Sequence, residues 1–126
     1  MGNILENVSL KNYHTFSTHA RAKWLTTFSS IEDCQHIIES DIWQENQKIV
    51  LGGGSNTLFT DDFPGIVLIN KIPNIKIAKE NDESVILTVG SGVNWNDLVN
   101  FCVEKNFYGL ENLATADRWA LLFRLA

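Results

Sequence analysis

The chain has 126 residues, 44% of them hydrophobic and 20% charged, with a net charge of −5 and a pI near 5.0. That is enough chain to bury the core of one domain, or of one domain and part of another, without disulfide or metal staples. The acidic balance excludes a basic face for nucleic acid, and no apolar run approaches the roughly 18 residues of a membrane span.

The N-terminal stretch MGNILENVSLKNYHTF has no basic segment leading into an apolar one, so no secretory leader is expected. Gly2 follows Met1, but Glu6 stands where a myristoylation signal needs Ser or Thr. Cys34 and Cys102 are far apart and lack metal-ligand spacing, which fits a reduced, cytoplasmic chain. In chain order, AKWLTTF (Ala22 to Phe28) is rich in β-formers and is expected to be a strand. SSIEDCQHIIES reads as a helix: Ser30 can cap it, Asp33 stands in a near capping box, and Ile31, Cys34, Ile37 and Ile38 recur at helical spacing. KIVLGG is a short buried strand ending in glycine, and GIVLIN is another, introduced by the turn DDFPG. IKIAKENDESVILTV reads as two strands joined by a polar turn at Asn81 to Ser84. NWNDLVNFCVEKN is an amphipathic helix capped by Asn94 or Asn96, with Trp95, Leu98, Val99, Cys102 and Val103 on one face.

The order strand, helix, strand, glycine loop, strand, strand, strand, helix opens an α+β domain of mixed α/β character. The pattern changes between Pro64 and Asn70, and a subdomain boundary is expected there. The first part has the form of a βαβ lobe and the second of a more antiparallel one.

Two loops carry the candidate chemistry. In LGGGSNT, Gly52, Gly53 and Gly54 let the backbone come close to a ligand, and successive N–H groups in such a turn form a concave anion site. Ser55 and Asn56 add side-chain donors, a combination suited to a pyrophosphate. The loop is neither a Walker loop, since no Gly-Lys-Ser/Thr follows, nor a dinucleotide fingerprint, since TLFTDDFPG reads as a turn where a helix is needed. In VGSGVNW, Gly90 and Gly92 flank Ser91 ahead of a helix whose N-terminus favours an anion. Alone, the first loop can equally be a glycine-rich turn without a ligand, and the second is more simply a tight strand-to-helix connection; two in one chain suit a dinucleotide, which has two phosphates. Asp61 and Asp62 are more simply an exposed turn before Pro64 than a metal site. His14, His19 and His36 show no ligand spacing, and the four tryptophans are read as core. No Ser-His-Asp, Cys-His or paired-carboxylate arrangement stands out.

Taken together, a Thr-Phe element at Thr15 and Phe16, GGGSN after a strand, VGSGVNW before a helix and GLENLA after it resemble the UDP-N-acetylenolpyruvoylglucosamine reductases. The match runs from about Leu10 to Ala114, and the order of four motifs makes it specific. One departure is His14, where that family usually has Asn. The resemblance implies a two-lobed FAD-binding domain of the vanillyl-alcohol-oxidase (PCMH) type with its second lobe incomplete: residues 1–66 as the βαβ lobe, 67–114 as the start of the second lobe, and 115–126 as a tail foreign to the family. It implies that Gly52, Gly53, Gly54, Ser55 and Asn56 hold the FAD pyrophosphate with Leu51 and Thr57 beside them. Gly90, Ser91 and Gly92 then lie near the cofactor on the second lobe, and Gly109, Glu111, Asn112 and Leu113 on the approach to the flavin. The implied chemistry is hydride transfer from NADPH through FAD to the enol ether of a UDP-sugar, by a cytoplasmic monomer with no nucleic-acid or membrane partner.

In that family GLENLA leads into a Pro-Gly-x-Val-Gly-Ala-Ala type segment. Here TADRWALLFRLA follows instead. The expectation is a shift of reading frame near Thr115: the last base of the Trp119 codon with the first two of the Ala120 codon encodes glycine, and a Ser-Val-Gly-Ala-Ala reading is available in that frame. The family's serine acid, glutamate and arginine fall beyond this point, so no catalytic residue is assigned and the chain is expected to be inactive alone. Two alternatives stay open: another FAD-linked oxidoreductase of the same fold, which GLENLA argues against, and a non-catalytic binding fragment.

Overall fold

The structure, a computed structural model, describes residues 3–14, 16–53 and 57–110. The chain divides into two compact units that meet in sequence between Ile72 and Pro73. Each has its own sheet and its own core.

The first unit contains β1 (Leu5–Ser9), β2 (Arg21–Phe28), α1 (Ile31–Ile38), α2 (Asp41–Glu45), β3 (Lys48–Leu51) and β4 (Phe63–Asn70). Its sheet has the order β1-β2-β4-β3. β4 is parallel to both neighbours and β1 is antiparallel to β2. The run Gly65 to Ile69 is buried throughout, as a central parallel strand covered on both faces requires. Val67 and Ile69 pack with Leu10, Leu25, Leu51 and Phe59. Ile66 and Leu68 pack with Phe28 and Ile37, and with Cys34, Ile42 and Trp43 of the two helices. The strand enters the sheet against the residue that precedes β3. The N–H of Ile66 donates to the carbonyl of Gln47 at 2.8 Å, and a Cβ built on Gly65 would stand 2.1 Å from that same oxygen.

A boundary at residue 66 is therefore corrected. That position lies inside β4, hydrogen-bonded to a strand on each side, and the chain leaves the unit only after Ile72. The Asn70 Oδ1 accepts from the Ile72 N–H at 3.0 Å, and Pro73 has no N–H to extend the ladder.

α1 starts as expected. Ser30 is its N-cap and its hydroxyl accepts from the Asp33 N–H at 3.0 Å. The reciprocal bond runs to Ser29 instead of Ser30: Asp33 Oδ2 accepts from the Ser29 N–H at 3.2 Å. Of the four residues expected on its inner face, Ile37 is buried and Cys34 half-buried, whereas Ile31 is 65% exposed and Ile38 is exposed too. At about 100° per residue, Ile31 and Ile38 stand about 70–90° round the helix from the midpoint of the other two, on its flank. β1 and α2 were not expected. β1 exposes nearly all its side chains and shows no alternation, and α2 is a single short turn capped by Ser40.

The second unit contains β5 (Ile75–Glu80), β6 (Val85–Val89) and α3 (Trp95–Glu104). β5 and β6 form an antiparallel hairpin. Its turn is closed by Asn81, whose Oδ1 accepts from the N–H groups of Glu83 and Ser84 at 2.9 and 2.8 Å. Asn94 caps α3, its Oδ1 accepting from the Asn96 N–H at 2.8 Å. Trp95, Leu98, Val99 and Cys102 form the buried face, packed with Ile75, Leu87 and Val89 of the hairpin. Val103, expected on that face, is exposed; it too lies about 90° round from the centre of the stripe.

Candidate functional site

The glycine loop sits where an open parallel sheet takes ligands, at the carboxyl ends of its strands. The register shows that edge directly. Leu51 and Thr27 both pair with Ile69, and Phe28 pairs with Asn70, so β2, β3 and β4 end level. Leu51 closes β3 with its side chain buried in the core, which leaves its backbone as the part that faces the loop. Gly52 and Gly53 step off next and are exposed. A Cβ on Gly52 would meet nothing within 4 Å, and its φ lies outside the left-handed region. Neither packing among the described residues nor backbone conformation requires glycine there. The open space in front of Gly52 fits a group from outside the chain lying against the main chain, and any side chain at that position would stand in it. Gly54, Ser55 and Asn56 lie outside the described residues. Thr57 is half-buried where the chain resumes.

The exit of the loop is tied to the N-terminal segment. Thr18 Oγ1 donates to the Phe59 carbonyl at 2.8 Å and lies 3.3 Å from His14 Nε2. The His14 ring meets Phe59 edge-on, with centroids 5.3 Å apart. The backbone N–H of Arg21 donates to Asp62 Oδ1 at 2.8 Å, and Asp61 Oδ1 accepts from the Asp62 N–H at 2.8 Å. These two carboxylates are thus engaged in holding the turn, and no cluster suited to a metal occurs among the described residues. A cleft of about 410 Å³ opens between residues 18–20 and 58–62. Gly52 and Gly53 do not line it, so it flanks the exit of the loop, not its glycines.

In the second unit, Gly90, Ser91 and Gly92 form the turn between β6 and α3. The Gly90 N–H donates to the Asn74 carbonyl at 2.8 Å and the Val93 N–H to the Gly90 carbonyl at 3.0 Å. Ser91 is exposed, and the two glycines are half-buried. Gly109 has φ +123° with open space beside it, a backbone conformation that disfavours any side chain. Glu111, Asn112 and Leu113 lie outside the described residues, as do Thr15 and the tail from residue 115.

Among the described residues, two titratable groups depart from their ordinary values. The backbone bond from Ser29 holds the Asp33 carboxyl below the usual range, and burial pushes the Cys102 thiol up. Neither belongs to the loops. His14 and Thr18 were not singled out by sequence reasoning as site residues. The only signal was a polar residue set among the aromatics of YHTF, and their partner Phe59 lies too far along the chain to be read locally.

The profile of a family described as FAD binding domain matches residues 23–117. The chain belongs to that FAD-binding family. The mixed α+β fold and the FAD cofactor expected from the motifs both hold. Relatives named UDP-N-acetylenolpyruvoylglucosamine reductase are similar in sequence, as the motifs implied. That of Photobacterium profundum is 42% identical over 111 residues, covering 88% of this chain and 32% of the relative. That of Bacteroides fragilis is 33% identical over 109 residues, covering 86% and 32%. The chain thus spans about a third of the length of the curated relatives it matches. A UDP-N-acetylenolpyruvylglucosamine reductase from Thermus caldophilus has the same fold, with a TM-score of 0.66 over 92% of this chain and 39% of that one, at 24% identity. The open main chain at Gly52 and the level carboxyl edge behind it are compatible with an FAD diphosphate.

Proposed function

We propose that this chain is the FAD-binding portion of an NADPH-dependent reductase that converts UDP-N-acetylglucosamine enolpyruvate to UDP-N-acetylmuramate in peptidoglycan synthesis. The observation that carries this reading is the open main chain at Gly52, just past the carboxyl end of β3, in a chain 42% identical to the Photobacterium profundum reductase. FAD, when bound, supplies the hydride carrier between NADPH and the enol ether double bond. The chain's own part is placement. Leu51 anchors the start of the loop by burying its side chain, and Gly52, Gly53, Gly54, Ser55 and Asn56 are the residues read as holding the pyrophosphate. Thr57 continues the loop. Gly90, Ser91 and Gly92 are a further candidate cofactor contact, in which the Gly90 N–H is already given to the Asn74 carbonyl, and Gly109, Glu111, Asn112 and Leu113 are the candidates for the flavin end. None of these residues is assigned a proton transfer; the acid for that step belongs to the remainder of the longer relatives. The working protein is a cytoplasmic monomer acting on a UDP-sugar, without nucleic-acid or membrane partners.

A chimera tests this. Residues 10–114 of this chain replace the corresponding stretch of the Photobacterium profundum reductase, and NADPH oxidation is followed with and without the enolpyruvyl UDP-sugar. The expected result is a flavin-containing protein whose NADPH oxidation depends on that substrate. A folded chimera that carries no flavin, or that shows no substrate-dependent oxidation, contradicts the reading.

A further inference from the structure

The segment leaving the glycine loop must be held in place if the loop is to present its N–H groups, and a side-chain relay holds it. Thr18 Oγ1 donates to the Phe59 carbonyl at 2.8 Å. A hydroxyl has one proton. With that proton spent on Phe59, the contact of Thr18 Oγ1 with His14 Nε2 at 3.3 Å can be a hydrogen bond only if the imidazole donates. A neutral imidazole that donates from Nε2 carries a bare lone pair on Nδ1. His14 is 4% exposed, and its Nδ1 is buried without a partner among the described residues. A buried unpartnered nitrogen is costly and calls for an explanation. A phenylalanine would fill much the same space against the edge of Phe59 without that cost. The ring's shape therefore does not account for histidine here, and the Nε2 donor does.

We propose that His14 is a positioning residue of the glycine loop: its Nε2–H orients the Thr18 hydroxyl, which clamps the Phe59 carbonyl and so fixes residues 57–60. The consequence for the cofactor rests on the reading that this loop holds FAD.

The full chain and three variants test this. A histidine-ring ¹⁵N–¹H correlation spectrum of the chain without cofactor is expected to show His14 as the Nε2–H tautomer. His14→Phe keeps the ring and removes the donor. Thr18→Val removes the relay from its other end without touching the buried ring. His14→Gln restores an N–H on a flexible arm. NMR order parameters of residues 57–60 are expected to fall in His14→Phe and Thr18→Val and to recover in His14→Gln. FAD affinity is expected to follow, weakening about fivefold in each of the first two and no further when they are combined, as one shared hydrogen-bond unit implies. An Nδ1–H tautomer, or order parameters unchanged in His14→Phe and Thr18→Val, overturns the proposal whatever the chain does with FAD. Loosening of residues 57–60 in His14→Phe and Thr18→Val, beside a parent chain that binds no FAD, upholds the relay and refutes the cofactor reading instead.

Discussion

Replacing Gly52 by alanine separates a glycine kept for a ligand from one kept for the fold. The added Cβ meets no described atom within 4 Å, and the backbone there is not left-handed. The fold should therefore tolerate it, and the loss of unfolded-chain freedom should stabilise the apo chain by about 0.4–1 kcal/mol. Binding should move the other way. The methyl group stands in the space from which an anion would approach the loop, and losing one backbone hydrogen bond to a charged group costs about 1.5–3 kcal/mol, roughly 10- to 100-fold in dissociation constant. Thermal melts of the apo chain and a fluorescence titration with FAD read the two effects separately. An unchanged FAD affinity in Gly52→Ala would refute the reasoning that the ligand lies against this backbone. A destabilised apo chain would refute the reasoning that the space is free.

Gly65→Ala should behave oppositely. Its Cβ would lie 2.1 Å from a backbone oxygen that also accepts the Ile66 N–H. Overpacking plus a weakened hydrogen bond is worth about 2–4 kcal/mol, readable as a lower urea midpoint with or without FAD. The Asp33 carboxyl is held below its ordinary value by the Ser29 N–H, so its contribution is present above the usual carboxylate range and fades as pH falls through the lowered value. Asp33→Ala should therefore lower Tm at neutral pH, with the gap closing below about pH 4; a gap constant with pH would contradict this. The Cys102 thiol is buried among Trp95, Leu98 and Val99 and pushed upward, so iodoacetamide at mildly alkaline pH should modify it only under conditions that open the second unit. Rapid labelling in the folded chain would contradict that packing.

Much of this architecture can be read from short-range patterns. The Ser30 and Asn94 caps, the Asn81 turn and the buried run through Ile69 are local chemistry, visible in a few adjacent residues. Helix faces are legible only to within their width: periodicity includes Ile31, Ile38 and Val103, whereas burial stops about a quarter-turn short of them. GIVLIN looks like a new beginning in sequence, yet it inserts between β2 and β3, a non-local choice that no window of sequence contains, and the division falls after Ile72. β1 has no alternation to show, since its pairing with β2 through the backbone leaves its side chains in solvent. At the candidate site, the glycines announced themselves. The relay from His14 through Thr18 to Phe59 spans 41 positions from its middle to its end, and it exists only once β2 and β4 have paired.

The most direct test of the central claim is flavin retention. The purified 126-residue chain is mixed with FAD, separated from free cofactor by gel filtration, and its visible absorbance recorded beside its circular dichroism. If Gly52 lies against the cofactor, the protein fraction keeps a flavin spectrum and loses it markedly in Gly52→Ala. A folded, colourless fraction would contradict it.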